Sequence, residues 1–340
     1  MSFKLEKYFK NILLIGGEGY IGKVVAKYLI SCGYQVTSYD CLLYQDRGTL
    51  NCSNDSYKFV CGDMLDSKKL KKEIEKNFVV VLLAGLVGDP VTKKYPEESI
   101  LINDKAIKNV IDLCAEYNSK KLIFISTCSN YGFIKTNNLA SEDYELKPLS
   151  LYAKSKVSAE KYILSLKDKT GMNPTILRFA TAFGVAKRMR FDLTVNEFTR
   201  ELEIGNDLLV YDENTWRPYC HVLDFARLIQ MIIEAPKGKV AWEVFNAGGD
   251  MNNATKKMIV DMILEKIPNG NVQYQEHGND PRNYRVDFTK VNSILGFVPN
   301  YSIQNGIEEL IAAIRDNKFT NIEKNPNYYG NYNIEYSPVK

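Results

Sequence analysis

The stretch NILLIGGEGYIGKVVAKYLIS, residues 11–31, decides the fold. It opens with the apolar run Asn11–Ile15, which is typical of a buried strand, and continues from Ile21 to Ser31 with helical periodicity. A strand that enters a glycine-rich turn and then a helix is typical of a dinucleotide site, where the pyrophosphate meets the helix N-terminus. The residues that the turn predicts as dinucleotide contacts are Gly16, Gly19, Tyr20, Ile21 and Gly22.

The pattern outside this turn predicts an α/β fold. Short β-branched runs alternate with amphipathic helical segments, which is typical of a doubly wound, Rossmann-type parallel sheet. The alternation weakens after about residue 185, which indicates a smaller C-terminal α+β lobe. We expect a Rossmann domain at residues 1–184, later joined by about 217–248, and a substrate lobe mainly at 185–316. The Asn/Tyr-rich tail at 317–340 has a composition typical of disorder, although a segment that wraps the surface or joins a subunit contact is the alternative.

The strands and helices that this pattern predicts have definite bounds. The predicted strands are Asn11–Ile15, Gln35–Tyr39, Lys58–Val60, Val79–Leu83, Lys121–Ser126, Thr175–Arg178 and, in the later lobe, Val272–Glu276. The predicted helices are Ile21–Ser31, Leu65–Lys76, Ile100–Tyr117, Ser150–Lys169, Leu223–Glu234, Thr255–Glu265 and Ser302–Arg315.

Acidic and small residues at the predicted strand ends narrow the identity of the expected cofactor. Asp40 ends the second strand, where a carboxylate accepts hydrogen bonds from a ribose 2′-hydroxyl and repels a 2′-phosphate, so we expect NAD rather than NADP. Asp63, followed by Met64, is placed to meet the adenine, although a turn-forming role explains it too. Ala84 and Gly85 let backbone approach the cofactor, or simply allow tight packing.

A tyrosine and a lysine one helical turn apart supply candidate acid–base chemistry. Tyr152 and Lys156 stand at i and i+4 of a predicted helix, on the same face. An ammonium beside a phenol lowers the pKa of the phenol, so Tyr152 could take a proton from a substrate hydroxyl while hydride leaves the same carbon. Thr127 ends the preceding strand and offers a hydroxyl, or merely a strand-end cap.

The motifs together resemble a known family. GGEGYIG, Asp40, STCSNYG at 126–132 and YAKSK at 152–156 are similar, in order and spacing, to the extended short-chain dehydrogenase/reductases, the NAD-dependent epimerase/dehydratase group that acts on nucleotide sugars. The resemblance implies that Thr127, Tyr152 and Lys156 are the catalytic set. It also implies cofactor contacts from Tyr152 and Lys156, with Asn103 supporting the site, and substrate contacts from Ser129, Asn196, Arg217 and Arg282.

Departures from the family pattern narrow the reaction. Cys128 and Ser129 stand where the family's 4,6-dehydratases carry acidic residues, which disfavours dehydration. We therefore expect a nucleotide-sugar 4-epimerase of bacterial-type surface-polysaccharide synthesis. A 4-dehydrogenase or 4-ketoreductase stays the alternative, and a non-catalytic NAD-binding regulator is disfavoured because Tyr152 and Lys156 are both present. The nucleotide, the sugar and the direction remain open.

Composition limits the partners. The formal charge of +3 in 340 residues favours neither nucleic acid nor an anionic membrane as partner. Seven cysteines without a C-x-x-C pair and two distant histidines indicate a reducing, cytoplasmic location without a metal site. Helices Ile100–Tyr117 and Ser150–Lys169 resemble the pair that forms the family's four-helix contact, so we expect a homodimer or higher homo-oligomer.

Overall fold

The computed structural model describes residues 10–44, 55–117, 119, 121–134, 138–278, 280–322 and 324–337. Its strands are, in chain order, β1 Asn11–Ile15, β2 Gln35–Asp40, β3 Tyr57–Cys61, β4 Val79–Leu82, β5 Lys121–Thr127, β6 Leu139–Ala140, β7 Pro174–Phe179, β8 Thr181–Phe183, β9 Leu208–Tyr211, β10 Trp216–His221, β11 Glu243–Ala247, β12 Asn253–Thr255, β13 Val272–Gln275 and β14 Arg285–Val286. Its α-helices are α1 Tyr20–Ser31, α2 Ser67–Ile74, α3 Asp89–Lys94, α4 Pro96–Ser99, α5 Ile107–Glu116, α6 Leu151–Ser165, α7 Thr194–Glu203, α8 Val222–Glu234, α9 Lys237–Val240, α10 Lys256–Leu264, α11 Thr289–Leu295 and α12 Ile303–Arg315.

A seven-stranded parallel sheet forms the centre of the molecule. Its strand order is β11-β7-β5-β4-β1-β2-β3, so the order reverses between β1 and β4. Strands β4, β5 and β7 are buried along their whole length, because helices cover both faces of the sheet. The predicted doubly wound sheet is confirmed, and in such sheets ligands bind beyond the carboxyl ends of the strands at the reversal.

Several predicted helices begin or end elsewhere because side chains cap them. The helix expected from Leu65 starts at Ser67, since the Asp66 carboxylate accepts a hydrogen bond from the Lys69 N–H. Ser150 is likewise the N-cap of α6 rather than its first residue, and α6 ends at Ser165, before Lys169. The helix expected over Ile100–Tyr117 is a π-helical stretch, Ile100–Ala106, followed by α5.

The later part of the chain builds smaller sheets. Strands β12, β10 and β8 form one three-stranded sheet, while β13 pairs with β9 and β14 with β6. Helices α7, α10 and α12 pack on one another, whereas α8 returns to pack on α1 and β11 extends the large sheet. Within the described residues, none of the helices combines the length and apolarity needed to cross a bilayer.

The described part of the tail packs against the rest of the protein, which agrees with the alternative of a wrapping segment and not with disorder. Residues 324–337 contain one 3₁₀ turn, Pro326–Tyr328, and otherwise irregular backbone. Tyr329, Asn331 and Ile334 are nevertheless buried. The segment showed no periodicity because its asparagines and tyrosines make individual hydrogen bonds and ring contacts rather than one regular face.

Candidate active site

One large cavity lies at the carboxyl ends of the parallel strands and reaches the smaller lobe. Its volume is about 540 Å³. The ends of β1, β2, β4 and β5 and the turn after β3 form its floor. The opposite wall is formed by residues of the stretches 188–194 and 280–284, by Arg217 and Lys256, and by the tail. This is the position at which open parallel sheets bind their ligands.

The glycine turn lies against this floor. Gly16 donates its N–H to the Tyr39 carbonyl at 2.8 Å and has φ +87°, a conformation that favours glycine. A Cβ on Gly22 would lie 2.3 Å from the Gly16 carbonyl oxygen, so only glycine lets α1 start this close to the turn. Gly16, Gly19, Tyr20, Ile21 and Gly22 all line the cavity. The turn therefore fits the pyrophosphate of a dinucleotide, with the α1 N-terminus facing it.

Two carboxylates stand at the expected ends of strands. Asp40 accepts hydrogen bonds from the Glu18 N–H at 3.0 Å and the Leu42 N–H at 2.8 Å, while burial raises its pKa. Asp63 accepts from the Leu65 N–H at 2.8 Å. A carboxylate can accept about four hydrogen bonds, so both keep capacity for a ligand. Both line the cavity, as do Met64, Ala84 and Gly85, and their contacts with NAD stay predictions.

Asn103 acts on the loop after β4 rather than on the cavity itself. Its side chain, 1% exposed, accepts from the Leu86 N–H at 2.8 Å and donates to the Leu86 carbonyl at 3.0 Å. It does not line the cavity. The π-helical stretch presents this side chain, and such stretches often occur at functional sites. Asn103 thus holds Gly85 and the following backbone in position, and a direct cofactor contact stays a prediction.

The three candidate catalytic side chains all line the same cavity. Thr127 ends β5, and its Oγ1 accepts a hydrogen bond from the Ser129 N–H at 3.1 Å. Tyr152 lies in the first turn of α6, with Lys156 one turn later. Lys156 donates to the Ile125 carbonyl at 2.7 Å, and its Nζ lies 5.9 Å from the centre of the Tyr152 ring. The chain thus brings together a hydroxyl, a phenol and an amine.

The protonation of the pair differs from the sequence-based expectation. Burial raises the pKa of Tyr152, partly opposed by the Arg190 guanidinium, and burial lowers the pKa of Lys156 to about 7. The direction for the NAD-free chain is opposite to the expected lowering of the phenol pKa, because burial of Tyr152 dominates over the cations near it. A positive charge brought beside the ring favours the ionised phenol.

The substrate side of the cavity is a cluster of paired cations. Ser129 Oγ lies 3.3 Å from the Tyr284 hydroxyl and accepts from Arg282 Nη1 at 3.3 Å. Arg282 and Arg217 both pair with Asp280, at 2.7 and 3.0 Å. Arg282 is thus held by a structural ion pair, yet both arginines also line the cavity. Their substrate contacts stay predictions.

Asn196 is the predicted substrate residue that does not line the cavity. It is fully buried, accepts from the Gly184 N–H at 3.1 Å, and donates to the Tyr20 hydroxyl and the Arg190 carbonyl at 3.1 and 3.0 Å. Its polar atoms are thus used inside the protein. The structure supports a role for Asn196 in fixing the Arg190 backbone, and a direct substrate contact stays a prediction.

Residues 12–248 match the model of the NAD dependent epimerase/dehydratase family. The chain belongs to this family. Among curated relatives it is 27% identical to dTDP-glucose 4,6-dehydratase of Actinoplanes sp., over 91% of this chain and 98% of that protein. It is also 27% identical to UDP-N-acetyl-alpha-D-glucosaminuronate decarboxylase of Bacillus cytotoxicus, over 90% of this chain and 98% of that protein. The structure of UDP-glucose 4-epimerase from Thermotoga maritima with UDP-glucose superposes with a TM-score of 0.81. The two sequences are 25% identical, and the match covers 91% of this chain and 100% of that chain.

Membership makes the chain an NAD-dependent enzyme of the extended short-chain dehydrogenase/reductase type. The relatives named above carry out three different reactions, so the family alone does not choose among epimerisation, dehydration and decarboxylation. The choice depends on the side chains around Thr127, Tyr152 and Lys156.

Sequence reasoning missed Asp89, the first residue of α3. Its Oδ2 lies 3.2 Å from Arg282 Nη2, while its Oδ1 is buried and has no hydrogen-bond partner among the described residues. The carboxylate lines the cavity and raises the pKa of Tyr152. The available signal was its place in Gly88-Asp89-Pro90, soon after a predicted strand, where a turn was an equally good explanation.

The sequence of residues 188–196 resembles the segment that contacts the nucleotide-sugar diphosphate in this family, but it did not indicate which of the two arginines would do so. Arg188 and Arg190 are nearly buried and line the cavity. Arg190 binds Asp192 through two hydrogen bonds of 2.6 Å, while burial lowers the pKa of Arg188 to about 10. With Arg217, Arg282 and Lys256 they form a cationic wall, in which five cations stand beside the carboxylates of Asp89, Asp192 and Asp280.

Proposed function

We propose that this enzyme is a nucleotide-sugar 4-epimerase, which removes hydride from the sugar C4 and returns it to the opposite face. The observation that carries the proposal is the meeting of Thr127, Tyr152 and Lys156 with the glycine turn in one cavity, with no carboxylate directly after Thr127. We further propose that its product serves the synthesis of bacterial-type surface polysaccharides.

The two residues after Thr127 support redox chemistry without loss of water. Cys128 is buried outside the cavity, with its Sγ 3.1 Å from the Arg178 carbonyl oxygen, and burial raises the pKa of its thiol. Ser129 faces the cavity but is a poor base. Neither side chain can remove the C5 proton as a carboxylate would.

The chain's own groups suffice for both proton transfers. NAD, when bound, supplies the hydride acceptor and a positive charge that favours the ionised phenol of Tyr152. Tyr152 takes the proton of the C4 hydroxyl as C4 loses hydride, with the Thr127 hydroxyl hydrogen-bonded to the same oxygen. The 4-keto sugar then rotates within the site, so that the opposite face of C4 receives the hydride. Tyr152 returns the proton to the C4 oxygen in the same step. Proton and hydride both return, so the reaction is redox-neutral.

The cationic wall supports a nucleotide diphosphate as the anchor of the substrate. Arg188, Arg190 and Arg217 are each at least nine-tenths buried beside the cavity. Guanidinium groups bind phosphate oxygens through paired, charge-assisted hydrogen bonds that strengthen when water is excluded. A diphosphate held there leaves the sugar free to lie near Tyr152 and Ser129.

A panel of UDP-, GDP- and dTDP-linked hexoses and uronic acids tests the proposal. We expect conversion of one substrate to its C4 epimer, seen by NMR, with unchanged mass and no net NADH. Net NADH with a 4-keto product would instead identify a 4-dehydrogenase and refute the proposal. Tyr152→Phe should lower kcat by about 10²–10⁴-fold. Tyr162→Phe is the matched control, since Tyr162 lies on the same helix but outside the cavity and binds Asp112.

A 4,6-dehydratase is the second candidate because Asp89 brings a carboxylate to the cavity from another element. Its unpartnered Oδ1 could take the C5 proton that Cys128 and Ser129 cannot. The same panel distinguishes the two functions, because dehydration gives a product lighter by one water. In that case Asp89→Asn would abolish water loss, whereas for a 4-epimerase it would leave C4 inversion measurable.

A further inference from the structure

Residues 324–337, here called the strap, run across the cavity from the smaller lobe to the Rossmann lobe. Asn331, Tyr332 and Tyr336 line the cavity. Before them, the Tyr329 carbonyl accepts a hydrogen bond from the Phe191 N–H at 2.7 Å, which fixes the strap to the smaller lobe. Between Tyr332 and Tyr336, Ile334 is buried in the apolar cluster on the Rossmann side.

Asn331 is the point at which the strap joins the two lobes. Its Nδ2 donates to the Val87 carbonyl at 2.9 Å, in the loop after β4. Its Oδ1 accepts from Arg188 Nη2 at 2.7 Å, on the opposite wall. The residue is 6% exposed, so both bonds are sheltered from water. A single amide therefore closes the cavity between a loop on the cofactor side and an arginine on the substrate side.

Tyr336 brings its hydroxyl to the other end of the cavity, beside Asp63. The hydroxyl oxygen is buried. Burial raises the pKa of the phenol, and the hydrogen bond and charge of the Asp63 carboxylate raise it further. Asp63 is the residue expected at the adenine end of NAD. A phenol and a carboxylate side by side on one cavity wall offer a ligand both a hydrogen-bond donor and an acceptor.

We propose that Tyr336 is a contact residue of the NAD site, and that the strap must open before NAD can leave. The ring lies at the adenosine end, and its hydroxyl bonds to the ligand beside Asp63. The inference rests on the proposed function in one respect, since a redox-neutral epimerase can keep NAD through every turnover. A 4-dehydrogenase must exchange the cofactor each time, and a closed strap would slow it.

The test measures the dissociation of NAD and not activity. Each purified variant is loaded with radiolabelled NAD, chased with excess unlabelled NAD, and sampled by rapid filtration. We expect Asn331→Ala to speed dissociation at least about tenfold, because two sheltered hydrogen bonds are lost. We expect Tyr336→Phe to speed it a few-fold, and a variant ending at residue 323 to match or exceed Asn331→Ala. Glu335→Gln is the control, because Glu335 is exposed in the same segment.

Circular dichroism and thermal melting establish that each variant is folded. If the shortened variant does not fold, Asn331→Ala and Tyr336→Phe decide the question. An unchanged rate of NAD dissociation from folded Asn331→Ala would overturn the proposal that the strap retains NAD. An unchanged rate from Tyr336→Phe would overturn the proposal that Tyr336 contacts NAD. Failure of the 4-epimerase proposal can be told apart from failure of the strap proposal. In the first case the hexose panel gives no C4 epimer, while the rate of NAD release still depends on the strap.

Discussion

A buried ion pair behind the catalytic residues offers the sharpest test of how the site is held. Glu160, on α6, accepts from Arg178 Nε at 3.2 Å and Nη2 at 2.8 Å. The same carboxylate accepts from Asn130 Nδ2 at 2.8 Å and from the Ser126 hydroxyl. It therefore joins β7, the end of β5 and the turn after Thr127 to the helix that carries Tyr152 and Lys156, the other two candidate catalytic residues.

The expected cost follows from burial. The side chains of Glu160 and Arg178 are 2% and 6% exposed. Removing one partner of such a pair leaves a buried charge without its counter-ion, which costs about 3–5 kcal/mol. Replacing both with apolar residues of similar volume is often nearly neutral. We expect Glu160→Met and Arg178→Met each to lose about 3–5 kcal/mol of unfolding free energy, and the double variant to lose less than their sum by at least about 3 kcal/mol.

Urea unfolding followed by circular dichroism, at constant pH and with NAD removed, measures this double-mutant cycle. Asp261→Asn is the control, because its pair with Lys257 is exposed and worth at most about 0.5 kcal/mol. The rate should fall as well, since a displacement of about 1 Å at the reacting groups can cost about 10²-fold. Additive losses, with a coupling free energy below about 1 kcal/mol, would refute the view that this pair holds the site together.

Three further predictions concern the cofactor, pH and assembly. Titration should show that the enzyme binds NAD more tightly than NADP, and Asp40→Ser should reduce that preference. Equal affinities of the unaltered enzyme for NAD and NADP would contradict the role of Asp40. Burial lowers the pKa of Lys156 from 10.5 to about 7, so the folded chain binds fewer protons than the unfolded chain between these values. The unfolding free energy of the NAD-free protein should therefore rise from pH 7 towards 10, and denaturant titrations of Lys156→Met should show a smaller rise. Light scattering at micromolar concentration should give at least a dimeric mass, and a monomeric mass would exclude pairing through α5 and α6.

The sequence allowed close prediction of the sheet and of the ligand-binding floor. Six of the seven strands were predicted to within one residue at each end, because buried parallel strands are nearly continuous apolar runs, whereas β11 was not predicted. The glycine turn was predictable because its spacing reflects a backbone requirement, visible in the short distance from a Gly22 Cβ to the Gly16 carbonyl. Helix ends were less predictable, since the caps at Asp66 and Ser150 depend on individual side-chain hydrogen bonds.

Features that depend on distant parts of the chain escaped prediction. Asn331 bonds to Val87 across 244 positions, and no local pattern marks such a partner. Asp89 becomes a wall of the active site only because α3 lies opposite Arg282. The pKa of Tyr152 was misjudged for a related reason, because its burial is a property of the assembled cavity and not of the Tyr152–Lys156 spacing.

The Asn331 bridge also has a consequence for digestion by proteases. Thermodynamic linkage is reciprocal, so if the closed strap tightens NAD binding by some factor, bound NAD must favour strap closure by that same factor. Peptide bonds in residues 324–337 should then be cut more slowly when NAD is bound. The cleavage rate of the tail would report how much of the enzyme carries its cofactor, without any substrate.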